Sequence, residues 1–157
     1  MEHLNVRLLR LETMTVATTL GFGTQPELEA WDKILAFARK NGLLEQPQRP
    51  RFFGFNNPNP SPGSPNYGYE QWMTIPPGLL PESGIEVKEI PASLYAVTRF
   101  QGLEHIGPMW MRLVAWCEAS SHQMGEGQCL EELLSPIEDM DDLNKYVFDL
   151  YIPLIDG

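Results

Sequence analysis

The chain has 157 residues and a mass of 17.8 kDa, the usual size of one domain and large enough to bury roughly two-thirds of its unfolded surface. With 43% hydrophobic and 20% charged residues it is neither a disordered polyelectrolyte nor a fibrous chain, and no apolar run approaches the roughly 20 residues a membrane helix needs. A net charge of −10 repels phosphate backbones and attracts cations, which argues against direct nucleic-acid binding.

The expected location is the cytoplasm, because MEHLNVRLLRLE lacks the uninterrupted apolar stretch of a signal peptide and only Cys117 and Cys129 are present, both read as reduced. Cut at residue 79, the first half holds seven basic and seven acidic residues and the second four and fourteen. Part of that excess is Glu138, Asp139, Asp141 and Asp142, a solvated loop without the spacing of a calcium site.

The elements repeat. A shift of 79 residues places Ala17 on Ala96, Thr19 on Thr98, Gly23 on Gly102, Trp31 on Trp110, Glu70 on Asp149 and Trp72 on Tyr151. Residues 5–21 are rich in Val, Leu and Thr with a break near Glu12 and Thr13, and predict two short strands or one interrupted strand. Residues 26–41 predict an amphipathic helix with Leu28, Trp31, Ile34, Leu35 and Ala38 as its apolar stripe, Thr24 as cap and a stop at Asn41-Gly42. Strands follow near Arg51–Phe55 and Tyr67–Ile75, separated by a Pro- and Asn-rich surface loop over 56–66. The second series matches: residues 85–101 broken at Pro91, and a helix over 104–120 with Ile106, Met109, Trp110, Leu113, Val114 and Cys117 as its stripe. Strands near Cys129–Leu134 and Tyr146–Leu154 complete it. Met109, Met111 and Trp116 read as core. Each half is β-β-α-β-β, and the chain reads as one α+β domain over 1–157 whose repeat spans about 5–79 and 84–157.

Alternation along a strand turns this repeat into a functional argument. Phe148, Leu150, Ile152 and Leu154 form one apolar face suited to packing under a helix, while Asp149 and Tyr151 take the other; Glu70 and Trp72 occupy the same positions in the first half. If two such halves pack about a pseudo-twofold axis, one carboxylate and one aromatic from each converge on a cleft suited to a hydrophobic cation. Tyr67 and Tyr95 are further candidates whose faces the sequence leaves open. Ordinary exposed sheet residues are the alternative for all of them. The three histidines, His3, His105 and His122, are far apart, and no cysteine pair has metal spacing, so neither a metal nor any other cofactor is expected.

The segments YGYEQWMTIP (67–76), EIPASLYAVTRFQG (89–102), the helix carrying Trp110 and the terminal DLYIPL (149–154) together resemble the GyrI-like, or AraC-type effector-binding, family, from about Val6 to Leu154. The resemblance implies duplicated β-α-β-β halves with pseudo-twofold symmetry, an antiparallel sheet with two helices on one side and a ligand cleft on the other. It also implies that the family's acidic ligand contact maps to Glu70, with Trp72 beside it. The terminal motif usually reads E-x-Y-x-P, and here the acid is Asp149, one methylene shorter. Family members often sit behind a helix-turn-helix region, for which this chain has no room, so it resembles the standalone members. Some of these bind drug-like cations, some associate with DNA gyrase, and some relatives hydrolyse cyclopropane-bearing toxins.

Three functions stand open at this point. One is a binding module that captures hydrophobic, cationic small molecules through Glu70, Trp72, Asp149 and Tyr151. Another is a hydrolase in which Glu70 acts as general base on water. The last is an interaction module whose acidic C-terminal half meets a protein partner such as gyrase or the transcription machinery.

Overall fold

The computed structural model describes residues 4–57, 59, 61–135 and 142–155. Among them the elements run β1 (Arg7–Leu11), β2 (Met14–Gly23), α1 (Pro26–Lys40), β3 (Phe52–Asn56), β4 (Tyr67–Thr74), β5 (Glu86–Ile90), β6 (Ser93–Gln101), α2 (Ile106–Ala119), β7 (Leu130–Leu133) and β8 (Val147–Leu154). The 79-residue shift carries β1 onto β5, β2 onto β6, α1 onto α2, β3 onto β7 and β4 onto β8, so the repeat read from the sequence is a structural one. The fold is α+β, and every strand pairing described is antiparallel.

The chain divides into two compact units, one contiguous over Thr13–Pro91 and one split into Met1–Glu12 and Ala92–Gly157. These are not the two sequence repeats, because the first strand of each repeat joins the sheet of the other. β1 pairs with β6, and β5 pairs with β2. A two-residue hairpin needs positive φ at its central residues, which Glu12-Thr13 and Pro91-Ala92 lack; among the described residues only glycines have positive φ.

In the contiguous unit the sheet order is β3-β4-β2-β5. Helix α1 covers the face that carries Thr19, whose hydroxyl donates to the Ala30 carbonyl at 2.8 Å. On that face a Cβ at Gly21 would lie 2.1 Å from the Pro26 carbonyl oxygen, so only glycine lets the helix start so close to the strand. The buried stripe of α1 is Ala30, Ile34, Phe37 and Ala38; Leu28, expected on it, is 60% exposed because it lies half a turn away from Ala30. Nor does Thr24 cap the helix: the cap is Gln25 with no side-chain bond, and Pro26 at the start removes one of the orphan N–H groups. Gly42, at φ 65°, ends the helix as expected. Met73 is fully buried on the helix side of β4.

In the split unit the order is β1-β6-β8-β7, with α2 on one face. Leu113 and Cys117 of α2 form a core with Ala96, Phe100, Leu150, Ile152 and Leu154, against which Phe148, Trp110 and Trp116 pack, as the alternation of β8 predicts. Two expected core residues point outward: Met111 is 74% and Val114 36% exposed, because the buried stripe of this short helix is only as wide as the Leu113–Cys117 line. Both cysteines are free. The described part of the 56–66 loop is exposed, whereas Glu138, Asp139 and Asp141 of the acidic run lie outside the described residues. No helix among the described residues is long and apolar enough to cross a membrane.

Candidate functional site

Strand β4 alternates between two tasks. Tyr69, Gln71 and Met73 face α1, and Glu70 and Trp72 face the other way. Across the ladder Glu70 is flanked by Phe55 and Leu20, and Trp72 by Phe53 and Thr18. Glu70 is only 7% exposed, which an ionised carboxylate tolerates only with partners. It has three. The Trp72 indole N–H donates to Oε2 at 2.6 Å, Lys88 Nζ to the same oxygen at 3.0 Å, and Asn57 Nδ2 to Oε1 at 3.0 Å.

Burial pushes the Glu70 carboxyl up, but the bonds from Trp72, Asn57 and Lys88 together with the Lys88 charge outweigh it and hold the group below the usual carboxylate range. It is an anion at neutral pH. Each partner has a different origin. Trp72 is two residues along the same face, Asn57 opens the loop after β3, and Lys88 reaches over β2 from β5, where it pairs with Val16.

A cavity of about 550 Å³ opens beside this carboxylate, walled by Thr18, Thr19, Leu20, Lys33, Glu82, Ile85, Glu86 and Lys88. It lies where β5 stops pairing at Thr18 while β2 runs on to Gly23, with Lys33 Nζ donating to the Leu20 carbonyl at 2.9 Å. The wall is polar and aliphatic rather than aromatic. Trp72 is not part of it; buried to 6% exposure with Phe55 edge-on at 5.1 Å, it supports Glu70 from behind.

Tyr67 is on the helix side of β4, where its hydroxyl donates to Glu27 of α1 at 2.6 Å, so the register separates it from Glu70.

The equivalent positions of the split unit are built differently. Asp149 is 2% exposed and accepts from Arg7 at 2.8 Å and from Arg99 at 2.9 and 3.1 Å. Hydrogen bonding to Asp149, reinforced by its charge, raises the Arg99 pKa. Tyr151, 1% exposed, donates to the buried Glu132 at 2.5 Å and meets Tyr95 edge-on at 5.5 Å. Burial pushes the Tyr95 phenol up. Tyr95, Asp149 and Tyr151 thus share the face away from α2, as Tyr95 opposite Pro153 requires.

Sequence reasoning missed Lys88, Asn57, Arg7, Arg99 and Glu132. Asn57 was legible as the residue that follows β3 in the hairpin to Glu70, and Glu132 as a carboxylate on the short strand just before the DLYIPL motif. Lys88 and Arg7 were not, because both arrive on the exchanged strands. Among the described residues no three of His, Cys, Asp and Glu are grouped to hold a metal ion.

No match to the chain is found among curated protein sequences. Solved structures share its fold, among them the following three. The C-terminal domain of EcmrR is 13% identical, with 98% of this chain and 99% of that chain covered at a TM-score of 0.73. A hydrolase from Listeria innocua is 11% identical, with 96% and 91% covered at 0.71. SAV2435 bound to tetraphenylphosphonium is 12% identical, with 96% and 95% covered at 0.56. The chain spans 58% of the EcmrR chain in the EcmrR-DNA complex. The model of the GyrI-like small molecule binding domain matches residues 5–155, and the chain belongs to that family.

Proposed function

We propose that this small-molecule-binding domain captures hydrophobic organic cations, with Glu70 as the counter-charge. The observation that carries the reading is a buried carboxylate, held ionised by Trp72, Asn57 and Lys88, beside a cavity of about 550 Å³. A delocalised cation centred about 5 Å from that carboxylate gains on the order of 3 kcal/mol at an effective dielectric of about 20. Its apolar body adds about 25 cal/mol for each Å² removed from water. The bound tetraphenylphosphonium of SAV2435, a protein of the same fold, belongs to this ligand class.

The lowered pKa of Glu70 speaks for binding over general-base catalysis. A base that abstracts a proton from water at neutral pH works best with its pKa raised toward the ambient value, and the three donors move Glu70 the other way. Asp149, already engaged by two guanidiniums, is a weaker candidate for a ligand contact than Glu70. A protein partner for the acidic half rests on net charge alone.

Calorimetry and thermal shift with tetraphenylphosphonium test the reading on wild type and Glu70→Gln. Wild type should bind and melt higher in its presence, Glu70→Gln should bind more than tenfold more weakly, and the ligand should be recovered intact by mass spectrometry. Equal affinity of the two proteins would remove Glu70 as the counter-charge, and chemical loss of the ligand would replace binding with turnover.

A further inference from the structure

The carboxylate proposed to meet the ligand is not waiting empty. Lys88 Nζ sits 3.0 Å from Glu70 Oε2 and lines the same cavity, where the cationic centre of a ligand would be drawn. Building on the reading of Glu70 as counter-charge, we infer that Lys88 is a resident counter-ion that a bound organic cation displaces, so that it sets the affinity and the charge selectivity of the site.

Three features of the contact support exchange. First, the donors around Glu70 are unequal. Trp72 is buried against Phe55, whereas the Lys88 side chain is 42% exposed on a long flexible stem and sits on β5, the outermost strand of its unit's sheet. Lys88 can leave into water at little cost, and Trp72 and Asn57 remain to hold the carboxylate ionised.

Second, a receiving group stands by. Glu86 is two residues earlier on β5, on the same face and on the same cavity wall, so a displaced ammonium can move from one carboxylate toward another. The incoming cation then takes the ammonium's place at Glu70, and Glu86 offsets the charge of the displaced Lys88.

Third, the duplicated position shows the opposite construction. Asp149 is bound by the guanidiniums of Arg7 and Arg99, the latter through two nitrogens, and no single side-chain movement frees it. Of the two carboxylates at matching positions of the repeat, only Glu70 is held by a partner that a ligand can replace one for one.

Displacement means that a cation must compete with Lys88, while a neutral molecule leaves the Lys88–Glu70 pair intact. Calorimetric titration of wild type, Lys88→Ala, Lys88→Arg and Glu70→Gln with tetraphenylphosphonium and with neutral triphenylphosphine oxide separates these cases. Lys88→Ala should bind the phosphonium roughly threefold to tenfold more tightly than wild type, the worth of a partly exposed ion pair, with affinity for the phosphine oxide unchanged. Lys88→Arg, which keeps a competing charge, should bind the phosphonium no better than wild type.

Unchanged or weaker phosphonium binding by Lys88→Ala, with Glu70→Gln still impaired, would overturn the exchange while leaving Glu70 as the counter-charge. An equal gain for both ligands would reduce Lys88 to a steric obstacle. Full phosphonium affinity in Glu70→Gln, or no binding by any variant, would overturn the counter-charge reading and the exchange with it.

Discussion

Replacing Trp72 with Phe keeps an aromatic ring against Phe55 but deletes the 2.6 Å indole donor to Glu70. A hydrogen bond to a charged, largely buried acceptor contributes about 1.5–3 kcal/mol, so a loss of that order is expected at pH 7, together with a smaller packing loss from the contracted ring. The two parts have different pH dependences. In wild type the folded-state pKa of Glu70 is lowered, so its contribution to stability is present above the unfolded value of about 4.3 and disappears as pH falls through the folded value. Without the indole donor, the largest of the causes that lower it, the folded pKa rises and that contribution shrinks. Urea unfolding of both proteins at pH 7 and pH 3 should therefore give a larger difference at pH 7, shrinking toward the packing part in acid. Carboxyl NMR titration should show Glu70 titrating higher in the variant. A stability difference of equal size at both pH values, with an unmoved Glu70 titration, would refute the claim that Trp72 acts through the charge of Glu70.

Two other substitutions separate ligand contacts from framework. Asp149→Asn removes the charge that joins Arg7 and Arg99 within the split unit and should cost about 2–4 kcal/mol in urea unfolding; a loss below about 0.5 kcal/mol would mean that the two guanidiniums are held by solvent instead. Tyr67→Phe loses the half-buried bond to Glu27 on the helix side of β4, so stability should fall by about 1 kcal/mol and tetraphenylphosphonium affinity should not change; a severalfold loss of affinity would make Tyr67 a ligand contact.

Much of this is legible in the amino-acid sequence itself. The 79-residue shift located every strand and both helices of one series on those of the other, because a duplicated fold keeps its periodicities. The alternation of Phe148, Leu150, Ile152 and Leu154 with Asp149 and Tyr151 fixed which side of β8 lies under α2, since a strand has only two faces. Glu70 and Trp72 stood out for the same reason. The helix stripes were read less well: Leu28 and Val114 are apolar residues at permissible spacing, and only the packed neighbours decide which edge of a stripe is covered.

What surrounds each carboxylate was decided by the tertiary structure alone. Lys88 reaches Glu70 and Arg7 reaches Asp149 because β5 and β1 enter the sheets of the opposite repeats. Glu132 meets Tyr151 through the register of β7 on β8. Local sequence sets what a residue can do and which way it points along its own strand. The partner that neutralises a buried charge comes from strands far away in the chain, and that pairing is settled only when the sheets assemble.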